Sequence, residues 1–168
     1  MPKSKLLAQP RQAPDADDLD EPCSTVEAIR ARADALFRTA AECCRQHDRF
    51  ARVVRLSNVA AEQRAASNLC DLCDETLAGA VTAYEKCTAR EHPDGPDGAW
   101  WHKSNSLWHA SREYLRRHAG CDRLSRRLTD HSSAKFGELQ MEYELEASAL
   151  LALQQATEAY RKVRPEAW

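Results

Sequence analysis

The chain has 168 residues, a net charge of −2 and only five glycines, and its alanine, leucine, arginine and glutamate are strong helix formers. That length suits one domain able to bury about 70% of its unfolded surface, and the near-neutral balance argues against a polyanion or a membrane as partner. No apolar run approaches the eighteen residues of a membrane helix, and period-2 runs of Val, Ile or Thr are absent, so the expected class is all-α.

Residues 1–23 carry four of the seven prolines and the acidic run "DADDLDE". Such a segment cannot bury a core and is expected to be disordered. Its apolar stretch of three residues is too short for the centre of a signal peptide, so a cytoplasmic protein is expected.

From residue 24 the apolar spacing alternates threes and fours. Val26, Ile29, Ala33, Leu36, Ala40, Cys43, His47, Phe50 and Val54 form one seam, which predicts a helix over 24–56. The pattern lapses at "LSN", where Ser57 or Asn58 suits an N-cap. It resumes in a new phase with Val59, Gln63, Ala66, Cys70, Cys73, Leu77, Ala80, Tyr84 and Cys87, predicting a helix over 59–91. "HPDGPDG" at 92–98 is an unambiguous loop.

A third seam runs Trp100, Ser104, Leu107, Ser111, Tyr114, His118, Cys121, Ser125 and Leu128, predicting a helix over 99–130. "RRHAGCD" resembles a helix stop, but the seam continues through Gly120, so a kinked, continuous helix is preferred. A fourth seam from Phe136 through Leu139, Tyr143, Leu150, Leu153 and Thr157 to Tyr160 predicts a helix over 134–165. "DRFARVV" at 48–54 matches "DRLSRRL" at 122–128, and "AYEK" at 83–86 matches "AYRK" at 159–162, which suggests a duplicated hairpin. Two hairpins, 24–91 and 99–165, make an up-down-up-down four-helix bundle.

Seven cysteines is an odd number for a disulfide framework, and in a reducing compartment they are mostly free thiols or ligands. Three pairs at i and i+3 share helix faces: Cys44 with His47, Cys70 with Cys73, and His118 with Cys121. A turn at 57–58 and the offset of 74 between the repeats bring all three pairs to one mid-bundle layer, along with Cys43 and Glu146. These residues would suit zinc or copper. The competing and preferred expectation is that the thiols pack as small apolar groups.

Catalysis has little support. The chain lacks Glu-x-x-His pairs, C-x-x-C-H, H-E-x-x-H, a phosphate loop and a nucleophile elbow. His109 and Glu113 read as a surface pair. Arginines gather at the ends of the first and third helices, where they complement the helix dipole; nucleic-acid binding is disfavoured by the neutral domain and the lack of interleaved aromatics. "WWHKSNSLWH" at 100–109 places Trp101 and Trp108 seven apart on one face beside the seam. Two adjacent tryptophans are not expected both to point inward, which makes Trp101 and Trp108 candidates for an interface. The function expected is non-enzymatic protein–protein association, with a second copy or another protein partner. The alternative is a zinc- or copper-binding bundle.

Overall fold

The computed structural model describes residues 25–88, 98–127 and 133–163. They form four helices and no strand: α1 (Val26–Leu56), α2 (Ala60–Thr88), α3 (Gly98–Arg127) and α4 (Ser133–Val163). The tail of residues 1–23 and the 92–97 part of the loop lie outside the described residues. α1 packs on α2 and α3 on α4, and the two hairpins meet through α1 against α4 and α2 against α3. This is the expected bundle.

Local chemistry fixes the boundaries. The Thr25 hydroxyl accepts from the Ala28 amide at 3.1 Å and caps α1, with Glu27 in the first turn complementing the dipole. At the other end the Ser57 amide donates to the Val53 carbonyl at 2.8 Å. The Ser57 hydroxyl then accepts from the Val59 amide at 3.1 Å, while the Gln63 side chain donates to the Ser57 carbonyl at 2.8 Å. α3 runs unbroken through Gly120. A Cβ at that glycine would meet only the end of the Glu142 side chain of α4, its carboxylate 2.8 Å away, so no backbone contact demands glycine there.

The core is concentrated in one half of the bundle. Leu36, Leu77, Leu107 and Leu153, one from each helix, are fully buried, each worth about 1.5–3 kcal/mol relative to exposure. Three buried tyrosines link helices across this half. Tyr84 Oη lies 2.8 Å from Ser104 Oγ, Tyr160 donates to Asp34 at 3.1 Å, and Tyr114 reaches α1 and α2. Trp100 and Trp101 are both buried, against the expectation that one must face outward. Successive residues diverge by about 100° around a helix, so each indole finds its own cover. The Arg30 guanidinium sits 5.3 Å from the Trp100 ring centre, and Trp101 packs edge-on against Trp100 at 5.8 Å.

The half nearest the α1–α2 turn is different. The seams carry Val54, Phe136 and Tyr143 inward on paper, yet these side chains are 49%, 55% and 49% exposed. Among the described residues beyond the Asp74 level, only Ala66, Cys70 and Cys121 are buried there. The same seams place Gln63 and Ser125 in this half. Small and polar side chains bring too little apolar area to draw the hairpins together, so the bundle is closed at one end and open at the other.

Candidate functional site

A polar layer lies where the closed half meets the open one, and Asp74 of α2 is its centre. Its side chain is buried, at 5% residue exposure. Cys43 and His47, one turn apart on α1, face it: Cys43 Sγ donates to Asp74 Oδ1 at 3.2 Å, and His47 Nε2 lies 3.3 Å from both carboxylate oxygens. From α3 the Tyr114 hydroxyl approaches Asp74 at 3.0 and 3.2 Å and His47 Nε2 at 2.7 Å. His118, one turn beyond Tyr114, stacks on its ring, and its Nε2 is 3.6 Å from Asp74 Oδ2. Its Nδ1 meets Glu146 of α4 at 2.7 Å. All four helices contribute to the layer.

Electrostatics follows from burial and charge. Burial opposes ionisation of Asp74, but the His47 and Cys43 hydrogen bonds and the charges of His47 and His118 outweigh it, and its pKa falls below the ordinary value. Glu146 behaves alike: burial is overcome by its bonds to His118 and Cys121. The Glu146 bond in turn raises His118, against the opposing effect of burial. Burial, then the Asp74 charge, pushes up both the Cys43 thiol and the Tyr114 hydroxyl.

An open cavity of about 500 Å³ adjoins the layer on the open side. His47, Tyr114, His118 and Glu146 form its polar wall, and Phe50, Tyr143 and Leu150 its apolar one. Among the described residues neither lysine nor arginine lines it.

The six residues singled out as ligands separate into three pairs. His47 and His118 converge on Asp74. Cys70 and Cys121 are buried beside the cavity, their thiols pushed up to about 11 and about 12, in each case first by burial. Cys44 is buried on α1, where burial pushes its thiol up to about 11, and Cys73 is only partly buried. Among the described residues Cys43, Cys44, Cys70, Cys73 and Cys121 are free thiols. Cys87 is disulfide-bonded, the exception among the described cysteines.

Asp74 was not singled out from the sequence. It stands beside Cys73 and four residues after Cys70, and bundle helices bury a stripe wider than a strict seam, which is the signal that points to it. Of the tryptophans, Trp101 is in the core at 6% exposure, so its side chain is not offered to a partner. Trp108 is partly buried beneath the Arg112 guanidinium at 4.9 Å, and its indole N–H is buried without an acceptor among the described residues. Among the arginines, Arg45 pairs with Glu42, Arg116 and Arg117 with Glu113, and Arg126 with Asp122.

Fold and site together define a four-helix bundle with a carboxylate-centred polar layer beneath an open cleft. No protein-family model, curated protein or solved structure matches the chain. No described helix is long and apolar enough to cross a membrane.

Proposed function

We propose that the protein is a non-catalytic association module whose open half pairs with a second copy of this chain. The observation that carries this reading is the exposure of seam side chains, Val54, Val59, Phe136 and Tyr143, at one end of the bundle. Leu56, at 85% exposure, belongs to the same end. Apolar side chains gathered on one surface mark a contact region, whereas scattered ones do not.

Charge favours a copy of the same chain as the occupant. Between 45 and 55, α1 carries four arginines against Asp48, a net +3. Between 116 and 127, α3 carries five arginines against Asp122, a net +4. Between 138 and 146, α4 carries four glutamates and no cation; Glu142 and Glu146 are engaged by Arg117 and His118 of the same chain, so Glu138 and Glu144 are the ones a partner's arginines would meet. A twofold arrangement that sets the basic helices of one copy against α4 of the other matches opposite charges twice over.

Sedimentation equilibrium of the full chain tests the reading. A dimer is expected, shifting to monomer in the Val54→Asp/Phe136→Asp variant with helical circular dichroism unchanged. Raised salt is expected to weaken the dimer. A wild-type monomer at high concentration would refute self-association, and recovery of a stoichiometric complex with a different protein would redirect the reading to that partner.

A further inference from the structure

The polar layer contains more ligand chemistry than a hydrogen-bond network needs. The donor atoms of Cys43, His47 and Asp74 all lie within 4.8 Å of one another. Bond lengths of about 2.0 Å to nitrogen or oxygen and about 2.3 Å to sulfur place the ligands of a tetrahedral zinc about 3.3–3.5 Å apart. The observed separations are 3.3 Å from His47 Nε2 to Asp74 and 3.2 Å from Cys43 Sγ to Asp74. The Tyr114 hydroxyl, 2.7 Å from His47 Nε2 and 3.0 Å from Asp74, stands between these ligands and has to give way as an ion enters.

His118 stands outside this close group of three and has to draw in through its Nε2 to become the fourth ligand. Glu146 holds its Nδ1 at 2.7 Å and leaves Nε2 facing Asp74 at 3.6 Å. A carboxylate bonded to one ring nitrogen is how metal-ligating histidines are oriented, and it fixes the tautomer that presents the other nitrogen. The cavity beside His47 and His118 provides an entry path.

We propose that Cys43, His47, Asp74 and His118 form a tetrahedral zinc site, with Glu146 and Tyr114 as its supporting shell. The donor set is one thiolate, two imidazoles and one carboxylate. That mixture suits zinc; copper(I) favours soft sulfur sets, and magnesium and calcium favour oxygen. Binding forms the Zn–S, Zn–O and two Zn–N bonds. It releases to solvent the Cys43 thiol proton and whatever proton His47 Nε2 or His118 Nε2 carries. The anionic Cys43 and Asp74 then cancel the charge of the ion. Tyr114, released from His47, remains a donor to Asp74. The inference does not rest on the association reading.

The test uses the full chain, stripped by dialysis against chelator and titrated with zinc alone by calorimetry and with cobalt(II) by absorption. One ion per chain is expected, with a thiolate-to-cobalt charge-transfer band. Cys43→Ser is expected to abolish the band and His47→Gln to abolish stoichiometric zinc uptake; circular dichroism of both checks that they fold. Glu146→Gln is expected to weaken zinc by about 10- to 100-fold. The Cys70→Ser/Cys73→Ser variant is expected to bind as wild type does. The proposal is overturned if folded wild type takes up no zinc. It is equally overturned if the band survives Cys43→Ser, or if the Cys70/Cys73 variant loses zinc while Cys43→Ser keeps it.

Discussion

Replacing Asp74 by alanine in the metal-free protein should be among the most damaging single changes in the bundle. The Asp74 carboxylate is the shared acceptor for Tyr114 at 3.0 Å, Cys43 at 3.2 Å and His47 at 3.3 Å. A hydrogen bond to a charged group contributes about 1.5–3 kcal/mol, but three bonds to one acceptor do not add independently. Removing one member of a buried charged network costs about 3–5 kcal/mol, because its partners stay buried and unpaired, and that is the magnitude expected for Asp74→Ala. At about 2–4 °C per kcal/mol for a chain of this size, the melting temperature falls by roughly 6–20 °C. Asp74→Asn keeps an acceptor for Tyr114 and loses only the charge, so its cost is expected to be about half. Urea denaturation with chelator present reads both variants as a shift in midpoint at constant slope. Tyr114→Phe closes a double-mutant cycle, with a coupling of about 1–3 kcal/mol expected. A cost of Asp74→Ala below about 0.5 kcal/mol, additive with Tyr114→Phe, would refute the claim that this carboxylate organises the layer.

Three further outcomes follow from named contacts. Burial pushes Tyr84 up to about 12 in the folded state, although Ser104 partly opposes it; because the folded pKa exceeds the unfolded one, the associated stability is intact below about pH 10 and lost as pH rises through about 12. Alkaline unfolding, followed by circular dichroism alongside tyrosinate absorbance, should therefore begin in that window, and Tyr84→Phe should weaken the dependence. Gly120→Ala should be stabilising by up to about 1 kcal/mol in thermal melts, since the nearest obstacle to a methyl group is the movable end of Glu142 rather than backbone. Trp101→Ala should lower stability by about 3–5 kcal/mol in urea titrations and leave the sedimentation of the folded protein unchanged, because the ring is core.

Much of the fold is written locally. The first helix is expected over 24–56 and observed over Val26–Leu56, because the Thr25 cap and the lapse at 56–58 are properties of a few neighbouring residues. The fourth, expected over 134–165, is observed over Ser133–Val163. The open half was not legible for the opposite reason. Val54 and Tyr143 occupy the same seam phase as Leu36 and Leu153, and periodicity within one helix carries no information about how far away the next helix stands. The site was legible in part. Counting residues from the turns brings His47, His118 and Glu146 to one level, and the structure joins them through Asp74. Which of two adjacent residues faces inward is a matter of 100° about the helix axis, and in the structure Cys43 and Asp74, neighbours of Cys44 and Cys73, are the ones that join His47 in the layer.

The division of the bundle into a closed and an open half also means that its stability is graded along its length. Backbone amides over 33–44, 77–87 and 100–114 sit among fully buried side chains and should exchange with solvent deuterium only through global unfolding. Those over 49–69 and 136–145 flank mostly exposed side chains and should exchange through smaller openings that spread inward from the turn. Asp74 and its partners stand at the boundary between these two cooperative units. Anything that tightens that layer therefore raises the cost of fraying for the whole outer half without touching the leucine core.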